Sequence, residues 1–226
     1  MKLQDDELGE IVIRKNASSS SVRFSLSPDG RLRVSAPMYV SDRKIMRLIE
    51  TSRSELRKTF LEHRDLQVLK DGQKIGKHHT IVVIRSRVSR VEIVKNSIVV
   101  AGDYDHQEVG INQEIRDAIK TVLKEEAKVY LTKRLRILAN TCGVSYEALR
   151  FSHASSRWGS CSSNGTISLN ISLMKLPDQL IDYVLVHELS HRKHMDHSQS
   201  FWDEVKKHDP NYKKHRKALK MFSPFL

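Results

Sequence analysis

Residues 177–202 read PDQLIDYVLVHELSHRKHMDHSQSFW, and this stretch decides how the rest of the chain is interpreted. Its Pro-Asp start and its apolar residues at helical spacing predict an amphipathic helix. That helix carries the pattern His-Glu-x-x-His, formed by His187, Glu188 and His191. Because positions i and i+4 of an α-helix lie on one face about a turn apart, both imidazoles can reach a single ion. The pattern therefore predicts a metal-binding helix.

Glu188 lies between the two histidines and can approach the same ion without binding it. A zinc ion acidifies a bound water, and a neighbouring carboxylate can accept the proton that the water releases. The residue types and their spacing thus predict zinc-dependent hydrolysis with Glu188 as general base.

A catalytic zinc site has three protein ligands and one open position, so a third ligand is needed. His197 lies ten residues after His187, beyond a break expected at Met195-Asp196, and the chain can fold back there toward the ion. His194 would lie two turns along the helix from His187, too far for a compact tetrahedron. The zinc pattern HExxHxxGxxH has the same outer spacing, although His194 replaces its glycine. We expect His197 as the third ligand, with Glu204 as the alternative.

The first half of the chain is predicted to be rich in β-structure. Apolar and polar residues alternate over 22–26 and 32–36 around a Pro-Asp-Gly turn at 28–30, which indicates a hairpin. Ser41 is a suitable N-cap for a helix that reaches about Leu61. Runs of β-branched residues then predict strands over 80–84, 88–94 and 98–101.

Helical periodicity from about 108 to 140 predicts one long helix, or two broken near Thr132, with Gly143 as the stop. A strand over 146–151 follows. Alternating residues over 167–173 then predict a half-buried strand before the metal helix.

These elements together predict an α+β fold. Residues 1–105 would form a β-rich N-terminal region. Residues 106–226 would form a second domain with the metal helix, a small sheet and C-terminal helices.

Several motifs occur in one order: SRWGSC at 156–161, ISLN at 167–170, HELSH at 187–191, and then His197-Ser198 and Phe201-Trp202. In these motifs the chain resembles the YgjP-like metallopeptidases, relatives of the SprT-like zinc proteases. The likeness covers about 146–220, and the hairpin followed by Ala36-Pro37 is similar to the family's leading segment.

The resemblance implies a zincin-type peptidase domain that acts on peptides or proteins. It implies His187, His191 and His197 as zinc ligands and Glu188 as catalytic base. It also implies that residues 166–173 form an exposed edge strand that pairs with an extended substrate.

Other residues near these motifs have two interpretations each. Arg157, His153 and Tyr212 could stabilise the oxyanion of the reaction or could be ordinary surface and packing residues. The segment 158–161 could supply backbone donors or form a structural loop, the latter being favoured. Asn170 could order a loop or orient a ligand histidine.

The chain has 39 basic and 27 acidic side chains, a net charge of +12, and residues 192–226 hold nine basic and four acidic ones. This segment allows weak nucleic-acid binding, with Phe201 and Trp202 as an aromatic platform. Packing of the two aromatic residues beside solvated lysines is the favoured alternative. Two alternative functions therefore stay open: a nucleic-acid-associated protease that acts on DNA-bound proteins, and a non-catalytic metal-binding module.

Apolar runs are too short to span a bilayer. The acidic N-terminus, with no apolar segment, favours a cytoplasmic protein.

Overall fold

The computed structural model describes residues 2–26, 31–58, 68–104 and 108–224. The chain forms two compact units, residues 1–69 and 70–226. Sequence placed the boundary near residue 105 instead. The difference arises because strands from the second predicted β region pack against the long helix and thus belong to the second unit.

The first unit is a four-stranded sheet with a helix. Its sheet has the order β1-β2-β4-β3, in which β2 and β4 are parallel and the other pairs are antiparallel. The elements are β1 (Lys2–Asp5), β2 (Gly9–Asn16), β3 (Arg23–Leu26), β4 (Leu32–Pro37) and α1 (Asp42–Thr51).

The predicted hairpin strands of the first unit are confirmed, since β3 pairs with β4 and Phe24 lies opposite Val34. Their turn at 28–30 lies outside the described residues. Ser41 caps α1 by accepting a hydrogen bond from the Lys44 backbone N–H at 3.4 Å. Helical conformation resumes over 53–58, and the predicted end at Leu61 lies outside the described residues.

The second unit begins with β-strands and ends with helices. Its strands are β5 (Val68–Lys70, at the division between units), β6 (Lys74–Ile75), β7 (His79–Arg85), β8 (Arg90–Val94), β9 (Ser97–Gly102), β10 (Glu108–Gly110), β11 (Ala148–Ser152), β12 (Gly159–Cys161) and β13 (Thr166–Asn170). Its helices are α2 (Gln113–Cys142), α3 (Asp178–Ser190), α4 (Gln199–His208), α5 (Tyr212–Leu219) and a 3-10 helix (Ile171–Lys175). The α+β class is confirmed.

The three β-branched runs are the strands β7, β8 and β9, as predicted. The long helix α2 is a single element of 30 residues and passes Thr132 without a break. It starts later than periodicity suggested, because Asn112 caps it by accepting from the Ile115 N–H at 2.9 Å. Gly143 ends it in the left-handed conformation, with φ 63°.

The small sheet before the metal helix has the order β11-β13-β12. Here two expectations are wrong. The strand predicted over 167–173 ends at Asn170, whose side-chain oxygen accepts from the Ser172 N–H at 3.0 Å and starts the 3-10 helix. The strand is also central, with β11 parallel on one side and β12 antiparallel on the other, so it cannot offer an edge.

Among the described residues, no helix combines the length and apolar character needed to cross a membrane.

Candidate metal centre

Helix α3 is fixed at its N-terminal end by contacts to earlier parts of the second unit. Lys77 donates to the Leu176 carbonyl at 2.9 Å and to Asp178 at 2.5 Å. Arg134 of α2 binds Asp182 through two hydrogen bonds of 2.6 and 2.7 Å. Such paired guanidinium contacts set orientation as well as energy. They hold the helix whose last turn carries the His-Glu-x-x-His residues.

The imidazoles of His187, His191 and His197 converge. One nitrogen from each ring lies within 4.8 Å of the other two, and no further histidine, cysteine or carboxylate among the described residues joins this group. The Nε2 atoms of His187 and His197 are 3.2 Å apart. Ligands at about 2.0–2.1 Å from a tetrahedral zinc would be about 3.3 Å apart, so this spacing suits a zinc ion.

The chain returns to the centre through a tight turn after α3. The His194 N–H donates to the Ser190 carbonyl at 3.0 Å, and the Asp196 carboxylate accepts from the Ser198 N–H at 3.2 Å. Ser198 is then the N-cap residue of α4. The helix ends at Ser190, earlier than the break expected at residues 195–196, and the turn brings His197 beside His187.

His191 is oriented by the backbone of this same turn. Its Nδ1 lies 3.0 Å from the His194 carbonyl oxygen, so the proton belongs on Nδ1 and Nε2 is free to bind a metal. Phe201 is fully buried and stacks on the His191 ring with centroids 4.5 Å apart. Sequence reasoning missed this role of His194, because it is played by the backbone and leaves no mark on the residue type.

His187 is half-buried, and one of its ring nitrogens is enclosed. Its Nδ1 is buried and has no hydrogen-bond partner in the described part of the chain. Burial, followed by the neighbouring His191 and His197 rings and the Arg216 charge, lowers the pKa of His187 to about 3. The ring is therefore neutral at ordinary pH, which is the form that binds metals.

Glu188 is buried, with 5% of its surface exposed, and it lies against β12. Burial raises the pKa of Glu188 to about 8, and the nearby Arg157 charge partly opposes that rise. A Cβ atom on Gly159 would lie only 2.6 Å from Glu188 Oε1. A glycine at 159 is thus what allows the carboxylate its place beside the histidines.

Strand β12 is the edge of the small sheet nearest Glu188. The Trp158 carbonyl accepts from the Asn170 N–H at 2.9 Å, and the Ser162 N–H donates to the Thr166 carbonyl at 3.0 Å. Backbone groups of alternate residues point to opposite sides of a strand. The N–H and C=O groups of Gly159 and Cys161 therefore point away from β13, to the outer edge.

The loop before β12 is held by Asn170, which is fully buried. Its side-chain nitrogen donates to the carbonyls of Ala154 at 2.6 Å and Arg157 at 2.9 Å. Of the two interpretations of Asn170, loop ordering is the one that the structure shows.

Aromatic residues of α4 and α5 form one wall of the centre. Trp202 lies 5.7 Å from the His197 ring and 5.8 Å from the His187 ring, and Tyr212 stacks on Trp202 at 5.5 Å. The Arg216 guanidinium lies 4.6 Å from the Trp202 ring centroid. Phe201 and Trp202 therefore pack against the histidines, which is the interpretation that the sequence favoured. Tyr212 contributes to that packing. Nucleic-acid binding by the lysines of these helices stays a prediction.

The remaining candidates lie apart from the histidine cluster. Glu204, the alternative third ligand, instead binds Lys193 at 2.6 Å and His208 at 3.0 Å. His153 is exposed and outside the cluster. Cys161 is a free, half-buried cysteine, and burial raises the pKa of its thiol.

The chain matches the family described as YgjP-like, metallopeptidase domain, over residues 20–222. No curated protein matches it. Among solved structures it is similar to the metallopeptidase zymogen of Pyrococcus abyssi abylysin, with 26% sequence identity and a TM-score of 0.37. That alignment covers 40% of this chain and 93% of the other.

Proposed function

We propose that this chain, which belongs to the YgjP-like metallopeptidase family, hydrolyses peptide bonds in a zincin-type site. His187, His191 and His197 would hold the zinc, and Glu188 would act as general base. The observation that carries this proposal is the convergence of three imidazole nitrogens, two of them 3.2 Å apart, with the buried residue Glu188 directly after His187 in the helix.

The donor set fits a catalytic zinc better than a structural one. Structural zinc sites are closed by four protein ligands, whereas catalytic sites keep a position for water or substrate. The described part of the chain supplies three ligand atoms. When bound, zinc would acidify water and polarise the carbonyl of a peptide bond.

Glu188 is suited to the proton transfers of this reaction. A general base works best when its pKa lies near the working pH, and burial moves the Glu188 pKa from its ordinary value in that direction. The carboxylate takes the proton of the attacking water and then delivers it to the leaving amine. Gly159 keeps space for it on the side of β12.

The edge of β12 is suited to hold an extended substrate. The outward N–H and C=O groups of Gly159 and Cys161 can pair with a peptide backbone, which gives affinity with modest sequence preference. The proposal thus gives β12 the substrate-pairing role that the family resemblance implied for residues 166–173.

Replacing Glu188→Gln tests the mechanism. The variant should keep its metal and fold but lose peptide hydrolysis by at least about a hundredfold, because the amide cannot accept the proton. Turnover of a labelled unfolded protein, with zinc content measured in parallel, provides the readout. Glu147→Gln removes an exposed carboxylate of the same unit and should leave turnover unchanged. Full turnover in Glu188→Gln would exclude Glu188 as the base.

A further inference from the structure

Arg216 is held at the metal centre without an acidic partner. Its guanidinium lies 4.6 Å from the centroid of the Trp202 ring, which itself is 5.7 Å from the His197 ring. The side chain is exposed, and it forms no ion pair within the described part of the chain. Its charge contributes to the low pKa of His187, which agrees with this position. The aromatic ring thus holds a cation at the wall of the site.

Arg157 lies on the loop that leads into β12, the strand packed against Glu188. Its backbone is fixed, because its carbonyl accepts from the buried Asn170 side chain at 2.9 Å. Two residues later, Gly159 packs directly on the Glu188 carboxylate. The Arg157 side chain is exposed, and it also forms no ion pair among the described residues. The loop that leads to the contact between Gly159 and Glu188 therefore carries a positive charge.

Two other arginines of this unit, Arg134 and Arg192, are bound to protein acceptors instead. Arg134 forms its two short hydrogen bonds with Asp182, and Arg192 donates to the Ser145 carbonyl at 3.0 Å. Arg157 and Arg216 differ from these two, since neither forms an ion pair or a side-chain hydrogen bond among the described residues. A guanidinium is charged at every working pH and matches a carboxylate with two parallel hydrogen bonds.

We propose that Arg157 and Arg216 select substrates with aspartate or glutamate side chains close to the scissile bond. This inference rests on the proposed peptidase function and adds its substrate class. The Arg216 guanidinium lies on the Trp202 wall, and Arg157 lies two residues before the contact between Gly159 and Glu188. Acidic side chains near the reacting carbonyl would therefore meet a positive charge at either place. Substrates with glutamine at the same positions lack that interaction.

The test uses the zinc-loaded full chain and a mixture of synthetic peptides, each in a glutamate form and a glutamine form. Mass spectrometry gives the cleavage sites and, by competition, the ratio of kcat/KM for the two forms. We expect the glutamate form to be favoured about tenfold, the size of one charge-assisted hydrogen bond. The preference should fall as salt is added, because exposed charges are screened.

Arg216→Gln and Arg157→Gln should each reduce the glutamate preference about threefold or more, and the double variant should abolish it. Lys217→Gln and Arg150→Gln are matched controls. Both remove one exposed positive charge, the first on the same helix as Arg216 and the second on a strand of the small sheet. Neither control should change the preference. Equal losses in the controls and in the arginine variants would overturn the proposal, because net charge alone would then explain them.

A binding measurement separates this proposal from the peptidase proposal. The glutamate and glutamine peptides are labelled, and fluorescence anisotropy measures their binding to zinc-loaded Glu188→Gln protein. Tighter binding of the glutamate peptides, reduced in Arg216→Gln and lost when Arg157→Gln is added, supports acidic recognition. If the wild type then cleaves none of these peptides, only the peptidase proposal is overturned. Cleavage of both forms at equal rates would overturn acidic recognition and leave the peptidase proposal standing.

Discussion

At the scale of single residues, the contact between Gly159 and Glu188 sets the position of the proposed base. Gly159 does not adopt a positive φ, so alanine suits its backbone, and the three atoms nearest to the new Cβ all belong to the Glu188 side chain, at 2.6–2.9 Å. Gly159→Ala should therefore displace Glu188 without affecting the three histidines. We expect about ten- to a hundredfold lower kcat, with zinc content unchanged, because small misplacements of a catalytic group are costly.

Gly110→Ala is the control for this change, since no atom lies within 4 Å of the position of its Cβ and its φ is not positive. It should keep wild-type kcat. Wild-type kcat in Gly159→Ala as well would show that the carboxylate does not need its position against β12.

Part of the site could be predicted at this scale because it depends on local geometry. The spacing of His187 and His191 on one helix face follows from the helical repeat alone. The roles of the His194 carbonyl and of the packing between Gly159 and Glu188 could not be predicted. Both depend on backbone atoms brought together by tertiary structure, and the residue types do not reveal that.

At the scale of elements, the turn between β1 and β2 is fastened to the residues that follow α1. The Asp5 carboxylate accepts from the backbone N–H groups of Glu7 at 3.0 Å and Leu8 at 2.9 Å, and it binds Arg53 at 2.9 and 3.1 Å. These bonds, with the Arg53 bond as the largest contribution, lower the pKa of Asp5 from 3.8 to about 2.

Because the pKa of Asp5 is lower in the folded state, its carboxylate stabilises the first unit above pH 3.8, and this stabilisation is lost as the pH falls through about 2. Asp5→Asn should lower the free energy of unfolding by about 1 kcal/mol at pH 7, a modest figure because the pair is partly exposed. The difference from wild type should vanish below pH 2. Denaturant unfolding at several pH values measures it.

Asp6→Asn changes an exposed neighbour and should have no such effect. A loss that is the same at pH 7 and in strong acid would contradict the role of the charged carboxylate.

The small sheet shows where pattern reading fails at this scale. Alternation over 167–173 continues past the true end of β13, since the 3-10 helix that follows also buries Ile171 and Leu173. Alternation gives the faces of a strand but not its neighbours. The central place of β13, and with it the edge position of β12, is decided by pairing between distant segments.

At the scale of the whole molecule, the order of strand-like and helical patterns along the sequence predicted the α+β class. This order could not predict that the two compact units divide at residue 69, because the division depends on the packing of β8 and β9 on α2. Part of the net charge of +12 can now be related to particular residues of the structure. Arg216 lies on the Trp202 wall beside the three histidines, and the proposed substrate selection uses its charge together with that of Arg157.

The central claim is that three histidines hold a zinc ion, and its most direct test is the zinc content of the purified protein, measured by mass spectrometry. Wild type and Glu204→Ala should each bind one zinc per chain, because Glu204 lies outside the cluster and binds Lys193 and His208. His197→Ala should retain less than about a tenth of that zinc, because two imidazoles alone hold the ion weakly. Full zinc in His197→Ala, or its loss in a folded Glu204→Ala, would contradict the account.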